Sequence, residues 1–393
     1  MPLNEIKRVC YVGAGTMGCY NALAAAICGY EVALYDVDEA TLDQVAQRQS
    51  EFAAMFVGGG YCAQEDIAPA LARVRICADL GDATAAADLV SESVYERLDV
   101  KRAIHRRLDE VCPPGTILTT NSSVLLVSQI EDVVSRGDRF AALHSHLGSP
   151  LVDVVPGPRT DAAVIDLLRR YVLSINGVPL VLQKEYPGYV LNALLGPALS
   201  TAQALMLDGA AGIEDVDRTW MIDRNAAMGP FGMIDLFGLG VILDSWEDAG
   251  RKHHLPALRE RAIQFLRSYT EKGKLGMKAG EGFYQYPQPA YQHPDFLHSA
   301  NPGSPSEVVS GALNVALIGN AVLIAMAGVA QPGEIDRAWK VGTYLDAGPF
   351  EILAKLGHES FQAAVEQEVG ASRIDRRKAA LVLTYLNAEE IGE

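Results

Sequence analysis

The sequence lacks any cluster of basic residues. Its 33 lysines and arginines stand against 49 aspartates and glutamates among 393 residues, which gives a formal net charge of −16. Nucleic acids and anionic membrane surfaces attract proteins with dense positive charge, so we expect this chain to bind neither. With 49% apolar and 21% charged residues, the composition is that of a folded globular protein, and the length suits two or three domains.

Paired cysteines and targeting segments are also missing. All six cysteines lie within the first 112 residues and none forms a C-x-x-C pair, which predicts buried free thiols rather than disulfides or a metal site. The first residues lead directly into an apolar strand without a signal-peptide pattern, so we expect a cytoplasmic protein. The longest uncharged run, 308–333, contains serine, glycine and asparagine and is interpreted as a buried helix.

Strands and helices alternate in the first part of the chain. Short apolar strands are predicted at 8–12, 31–35, 73–77, 89–92, 117–119 and 139–143, with helical segments between them. This alternation is typical of a parallel sheet covered by helices on both faces. After about residue 186 the apolar periodicity becomes helical.

A glycine motif stands between the first predicted strand and the following helix. Gly13-Ala14-Gly15-Thr16-Met17-Gly18 has the G-x-G-x-x-G spacing, and Asp36 closes the next strand. In this context the pattern is a Rossmann fingerprint: Gly13 permits the tight turn, Gly15 lets the backbone approach a pyrophosphate, and Gly18 lets helix and strand pack closely. Because a carboxylate binds a ribose 2′-hydroxyl and repels a 2′-phosphate, the motif predicts NAD rather than NADP.

The helical part contains an internal repeat. Residues 214–231 align with residues 333–350 without a gap, at an offset of 119, and six residue types recur at matching positions. The sequence therefore predicts two copies of one helical unit. Taken together, the expected fold class is an α/β Rossmann-type domain, residues 1–186, followed by an all-α domain of two related helical repeats, residues 187–288 and 306–393.

Several segments, in this order, resemble the 3-hydroxyacyl-CoA dehydrogenase family over nearly the whole chain. They are the glycine motif, 92–101 (ESVYERLDVK), 121–123 (NSS), 139–144 (RFAALH), 151–154 (LVDV), 187–192 (PGYVLN), 228–231 (MGPF) and 280–284 (GEGFY). The resemblance implies hydride transfer between a secondary alcohol and the nicotinamide of NAD. Glu96 and Lys101 fall in the segment that the resemblance places at the cofactor.

The resemblance also implies the catalytic residues. A histidine that closes the sixth strand falls on His144, and the carboxylate paired with it falls on Asp153. Ser122 and Asn192 match the serine and asparagine that hold the substrate oxygen and the nicotinamide side of the site. Histidine suits this chemistry because it exchanges protons near neutral pH.

The histidine segment departs from the family pattern. The family usually has H-F-x-N-P and reaches a glutamate twelve residues after the histidine, whereas here the segment is HSHLGSP and an aspartate follows after nine. His146 therefore becomes a rival for the role of base. The predicted strand 139–144 (RFAALH), which ends at His144, favours His144 as the base.

The substrate is predicted from charge. Acyl-CoA members are expected to offer lysines to the CoA phosphates, but residues 50–72 contain no lysine or arginine. Arg224, six residues before Pro230, resembles an arginine of the lambda-crystallin/L-gulonate dehydrogenase and carnitine dehydrogenase branch, where substrates are small hydroxy acids. A guanidinium can hold a carboxylate through two hydrogen bonds, so an anionic small-molecule substrate is expected.

The expected function is thus an NAD-dependent dehydrogenase or reductase acting on a β-hydroxy or β-keto acid or its thioester, without a metal. A short-chain 3-hydroxyacyl-CoA dehydrogenase is the enzyme alternative, and an NAD-binding structural or sensory protein without turnover is the alternative of another class. In the second helical copy Asn192 maps to Gly311 and Arg224 to Thr343. That copy is therefore expected to be structural, giving a monomer with an internal pseudo-dimer, or a homodimer.

Overall fold

The computed structural model describes residues 5–248, 253–298 and 306–390. They form two compact units. We call residues 5–189 with 328–330 the Rossmann unit, and the other described residues the helical unit. Within the described residues the six cysteines are free thiols, four of them buried, as predicted.

The Rossmann unit is built on a sheet of eight described strands in the order β3-β2-β1-β4-β5-β6-β7-β8. The strands are β1 Arg8–Val12, β2 Glu31–Tyr35, β3 Val74–Cys77, β4 Leu89–Glu92, β5 Ile117–Thr120, β6 Phe140–Ser145, β7 Leu151–Pro156 and β8 Val178–Val181. Its helices are α1 Thr16–Ile27, α2 Glu39–Asp43, α3 Val45–Gly58, α4 Ile67–Leu71, α5 Leu80–Thr84, α6 Leu98–Val111 and α7 Ala162–Ser174.

The central strand β1 is buried on both sides. Val9 and Tyr11 join one apolar core with α1, while Cys10 and Val12, which point to the opposite face, are also inaccessible to solvent. A strand that is apolar at every position fits only between two layers of helices. The predicted doubly covered Rossmann fold is confirmed.

The last two strands of the sheet, β7 and β8, differ from the prediction. Strands β1 to β6 pair in parallel, as expected, but β7 runs antiparallel to β6, and β8 is parallel to β7. Neither β7 nor β8 is among the strands predicted from the sequence. A loop of five residues, 146–150, joins β6 to β7, and so short a connection allows only an antiparallel pair, since a parallel crossover needs a dozen or more residues.

The helical unit contains two five-helix copies among its described residues. The first consists of α8 Leu191–Leu207, α9 Ile213–Arg224, α10 Pro230–Phe237, α11 Leu239–Glu247 and α12 Arg259–Thr270; the second of α13 Ser306–Met326, α14 Pro332–Thr343, α15 Pro349–Leu356, α16 His358–Gly370 and α17 Arg376–Glu390. Helices α9 and α14, and likewise α10 and α15, begin and end at the offset of 119 residues. The predicted duplication is confirmed, whereas the predicted domain boundaries at 186/187, 288 and 306 stay a prediction.

The recurring residues have a packing role that explains why they recur. The Asp217 carboxylate accepts hydrogen bonds from the backbone N–H groups of Phe231 and Gly232, at 2.8 and 3.0 Å, and so caps α10. A Cβ atom on Gly229 would lie only 2.3 Å from Asp217 Cα. Asp336 caps α15 in the second copy in the same way. The aspartate therefore requires glycine before the Pro-Phe pair.

Helix α13 is the one helix of the described chain that is long and apolar enough to span a membrane by length and composition. Two thirds of its most apolar window is buried inside the structure. It packs on α8 and on α16 and α17 of its own copy. This burial agrees with the interpretation of the uncharged run as a core helix. Tyr291 and Phe296, in the segment between the two predicted repeats, are buried as well; residues 299–305 lie outside the described residues.

Candidate active site

The glycine turn joins β1 to α1. Gly13 has a φ of +101°, a backbone conformation that side chains with a Cβ rarely adopt, and a Cβ on Gly18 would stand 1.7 Å from the Gly13 carbonyl oxygen. Gly15 precedes the first turn of α1, and a Cβ there would meet nothing within 4 Å. The turn thus leaves open space in front of a helix N-terminus, where backbone N–H groups attract a phosphate.

Asp36 lies beside this turn, at the end of β2. Its Oδ2 accepts a hydrogen bond from the Ala14 N–H at 2.8 Å, and its Oδ1 accepts one from the Asp38 N–H at 3.0 Å. The half-buried carboxylate is therefore held next to the backbone that would receive a pyrophosphate. This arrangement fits the dinucleotide NAD. That the glycine turn, Thr16 and Met17 lie at the pyrophosphate and Asp36 at the adenine-side ribose stays a prediction.

His144 and Asp153 face each other across the β6–β7 pair. They are register partners in the antiparallel ladder, and His144 Nδ1 lies 2.9 Å from Asp153 Oδ2. Directly opposed residues of an antiparallel pair stand close enough for short side chains to meet. The aspartate nine residues after the histidine therefore reaches the imidazole, in spite of the shorter loop and the shorter side chain. Both residues are buried.

His146 shares the same carboxylate. Its Nε2 also lies 2.9 Å from Asp153 Oδ2, and its ring stands edge-on to the ring of His144 with 4.4 Å between the centroids. Burial raises the pKa of Asp153, but the two histidines outweigh it and bring that pKa to about 2. Burial lowers the pKa of His144, and so does the neighbouring His146, whereas Asp153 raises it.

A second polar network carries Ser122. The Ser122 hydroxyl donates to Glu96 Oε1, and that same oxygen accepts the backbone N–H of Ser123 at 3.1 Å. Lys101 Nζ lies 3.2 Å from Glu96 Oε2 and 2.7 Å from Glu92 Oε1. Lys101 is almost wholly inaccessible to solvent, so its ammonium group positions two carboxylates rather than standing exposed to a ligand.

Several residues of this centre are not among those predicted from the sequence. The Ser123 hydroxyl lies 3.1 Å from His144 Nε2, and the Tyr189 ring packs 5.4 Å from the His144 ring, with a buried hydroxyl that has no hydrogen-bond partner among the described residues. Glu92 binds His105 and Thr120 as well as Lys101. Each lies in or beside a segment quoted for the resemblance, but only the fold shows which of its polar groups converge.

His144, His146 and Asp153 also have the side-chain types that bind metal ions. One ligand atom from each of His144, His146 and Asp153 lies within 4.8 Å of the others, which is close enough for a shared cation. Both imidazole nitrogens, however, stand at hydrogen-bond distance from one carboxylate oxygen. We interpret the group as a proton-handling centre, and the absence of a metal stays a prediction.

The remaining predicted residues, Asn192 and Arg224, belong to the helical unit. Asn192 is the second residue of α8 and is half-buried. Arg224 ends α9; its guanidinium donates from Nη2 to Asn314 Oδ1 at 2.7 Å and stacks 3.9 Å from the Trp220 ring centroid. Burial lowers the pKa of Arg224 to about 10, partly opposed by Asp223.

Two models of known protein families match almost all of the chain. The family model described as "3-hydroxyacyl-CoA dehydrogenase, NAD binding domain" matches residues 8–186, and the model described as "3-hydroxyacyl-CoA dehydrogenase, C-terminal domain" matches residues 188–286 and 309–393.

The similar curated proteins each cover about 72% of this chain. The mitochondrial hydroxyacyl-coenzyme A dehydrogenase of Homo sapiens is 32% identical in an alignment of 300 residues that covers 72% of this chain and 91% of that protein. A probable 3-hydroxybutyryl-CoA dehydrogenase of Bacillus subtilis is 31% identical over 286 residues, covering 72% of this chain and 98% of its own.

Solved structures are similar too. A diketoreductase that acts on dicarbonyl compounds is 36% identical, with a TM-score of 0.67 over 72% of this chain and 100% of its own. The 3-hydroxybutyryl-CoA dehydrogenase of Escherichia coli K12 has a TM-score of 0.80 over 99% of this chain and 100% of its own. At 23% identity, the latter shows the shared fold alone.

Proposed function

Because this chain belongs to the 3-hydroxyacyl-CoA dehydrogenase family and is an NAD-dependent oxidoreductase, we propose that it interconverts a small β-hydroxy acid and the corresponding β-keto acid. The observation that carries the proposal is the buried His144–Asp153 pair at the end of β6. When bound, NAD accepts the hydride, and the residues of this chain orient the alcohol and take its proton.

The hydrogen bonds support His144 Nε2 as the proton-accepting atom of this proposal. An ionised carboxylate only accepts hydrogen bonds, so His144 Nδ1 carries a hydrogen toward Asp153 Oδ2, and the lone pair lies on Nε2. The Ser123 hydroxyl stands at 3.1 Å from that Nε2. A substrate hydroxyl that replaces this contact gives its proton to Nε2, and Asp153 stabilises the resulting imidazolium.

Ser122, Glu96 and Lys101 hold the cofactor side of the site. In this proposal the Ser122 hydroxyl, anchored by Glu96, contacts the substrate oxygen or the nicotinamide carboxamide, while Lys101 fixes Glu96 from a buried position. Asn192, which belongs to the helical unit, keeps the role that the family resemblance implies: an amide that donates to the substrate oxygen would stabilise negative charge there when the keto acid is reduced.

Three observations support a free acid as the substrate. The α3–α4 segment carries no lysine or arginine between residues 50 and 72, but it does carry Glu51, Glu65 and Asp66, which disfavour CoA phosphates. Arg224 offers a guanidinium with unused donors to a carboxylate. The diketoreductase with 36% identity acts on dicarbonyl compounds, and a β-keto acid is itself a dicarbonyl compound.

A panel assay tests the function. The protein is incubated with NAD or NADH and a set of small hydroxy acids, keto acids and acetoacetyl-CoA, and turnover is followed at the nicotinamide absorbance. Turnover of acetoacetyl-CoA but not of free acids would favour the short-chain 3-hydroxyacyl-CoA dehydrogenase alternative, and NADH binding without any turnover would favour a non-catalytic protein. Undiminished activity after EDTA treatment is expected, since no step uses a metal.

The Arg224→Met variant tests more directly whether the substrate is a free acid. We expect it to raise the KM for a carboxylate substrate relative to its amide by roughly 30- to 700-fold, which corresponds to the 2–4 kcal/mol lost when a partly desolvated charge pair loses one partner. Equal effects on both substrates would contradict the free-acid proposal.

We also propose that the protein is cytoplasmic, and that the two helical copies form an internal pseudo-dimer within a monomer.

A further inference from the structure

The helical unit contains a cavity of about 450 Å³ that is lined by both copies. The first copy contributes the end of α9, including Arg224 and Asp223. The second copy contributes α13, α15 and the loop before α15. Its polar lining residues include Ser310, Asn314 and Lys355. The second copy therefore forms part of a polar cavity.

Arg224 is an incompletely satisfied cation in the wall of this cavity. It is 7% exposed, and its Nη2 donates to Asn314 Oδ1. Its nearest carboxylate, on Asp223, is 3.7 Å from Nη1, and Nε and Nη1 have no hydrogen-bond partner among the described residues. A guanidinium has five N–H donors, and a buried charge without an anion or a full set of acceptors is costly. The cavity thus lacks an acceptor that matches Arg224.

The internal repeat shows that packing does not require these polar residues. At the offset of 119, Ser310, Asn314 and Lys355 correspond to leucines in the first copy, at 191, 195 and 236. Arg224 itself corresponds to Thr343. These four polar groups all stand on the side of the repeat that leaves a cavity. The acidic lining residues Asp223 and Asp346 also differ from their counterparts, Gly342 and Ala227, so this side has gained hydrogen-bonding groups and charges of both signs.

The corresponding position on the other side of the repeat is filled. Leu191, the counterpart of Ser310, packs so closely on Gly342, the counterpart of Asp223, that a Cβ on this glycine would stand 2.5 Å from the leucine Cδ2. Leu191 is buried. One side of the pseudo-symmetric pair is therefore closed by a leucine, whereas the other side is open and polar.

We propose that this cavity binds a small monocarboxylate, with Arg224 as its main partner and with Asn314 and Lys355 of the second copy completing the site. Asp223 and Asp346 also line the cavity and balance its two cations, so a dianion such as a phosphate monoester is disfavoured. The source of the carboxylate is either the acid group of the substrate, in which case the inference rests on the proposed function, or a separate small acid.

Isothermal titration of the full-length protein with butyrate tests the site directly, without turnover. Arg224→Met should weaken butyrate binding at least tenfold. Asn314→Leu and Lys355→Leu, which install the residues of the first copy, should weaken it at least threefold. Lys355 is exposed, so its replacement leaves folding intact. Asn320→Leu on the same helix and Lys272→Leu on the surface serve as matched controls, because neither residue lines the cavity.

The outcomes separate this inference from the proposed function. Butyrate binding that depends on Arg224, Asn314 and Lys355 supports the site even if the panel assay finds no oxidised substrate. Competition between butyrate and the hydroxy acid assigns the site to the substrate, and simultaneous binding assigns it to a separate acid. Binding that is absent at millimolar butyrate, or that is unchanged in Asn314→Leu and Lys355→Leu, overturns the inference while leaving the dehydrogenase activity in place.

Discussion

Asp153→Asn is the substitution that most directly tests how this centre handles protons. Two imidazole N–H groups converge on Asp153 Oδ2 at 2.9 Å, so the carboxamide oxygen takes that position and keeps His144 in its tautomer. The NH₂ group replaces Oδ1, which is buried without a partner among the described residues. The substitution therefore removes the negative charge while the geometry is retained.

The magnitude follows from the change in one bond. A hydrogen bond to a charged group contributes about 1.5–3 kcal/mol and a neutral one about 0.5–1.5 kcal/mol, so an imidazolium formed on His144 loses roughly 1–1.5 kcal/mol of stabilisation. We expect kcat to fall roughly 5- to 13-fold. The Kd for NADH should hardly change, because the proposed cofactor contacts of the glycine turn and Asp36 are untouched.

Stopped-flow or steady-state absorbance of NADH measures kcat, and fluorescence titration measures NADH binding. Asp161→Asn is the matched control, since it removes a carboxylate that caps α7 in the same unit and asparagine caps equally well. A folded Asp153→Asn protein whose kcat stays within twofold of the parent would refute the assignment of Asp153 as the partner of the base.

The remaining predictions concern the cofactor turn and the two histidines. NADH should bind at least tenfold more tightly than NADPH, because a 2′-phosphate meets the Asp36 carboxylate; equal affinities in a fluorescence titration would contradict this. His144→Ala should lower kcat by about 10²–10⁴ with NADH binding retained, and the base is misassigned if only His146→Ala does so. The neutral imidazole of His144 accepts the proton, and burial and then His146 lower the pKa of His144 below 6.5. His146→Asn should therefore raise that pKa and move the acid limb of the kcat/KM profile for alcohol oxidation to higher pH. An unmoved limb would argue against coupling between the two histidines. Gly18→Ala places a Cβ 1.7 Å from a backbone oxygen and should lower both Tm and NADH affinity, whereas Gly15→Ala should lower the affinity alone; identical Tm values for the two variants would count against this account of the turn.

The sequence by itself determined the features that depend on local chemistry. The glycine spacing and Asp36 specify a dinucleotide site because only glycine fits the turn conformation and the close contact at Gly13 and Gly18. The repeat of the Asp-Arg, Trp and Gly-Pro-Phe positions identified the duplication, since an aspartate that caps the next helix must face a glycine at a fixed distance along the chain. Six of the eight described strands were predictable from apolar runs.

Only the tertiary structure decided which side chains meet. The departure from the usual histidine–carboxylate spacing is resolved by the antiparallel register that sets Asp153 opposite His144, and one carboxylate oxygen receives both histidines, which no spacing rule indicates. Lys101 is enclosed by two glutamates because β4 and α6 fold together around it. Likewise, the polar residues of the second copy that line the cavity beside Arg224 come from α13, α15 and the loop before α15, 86 to 131 residues further along the chain, and their side chains converge only after the two copies pack against each other.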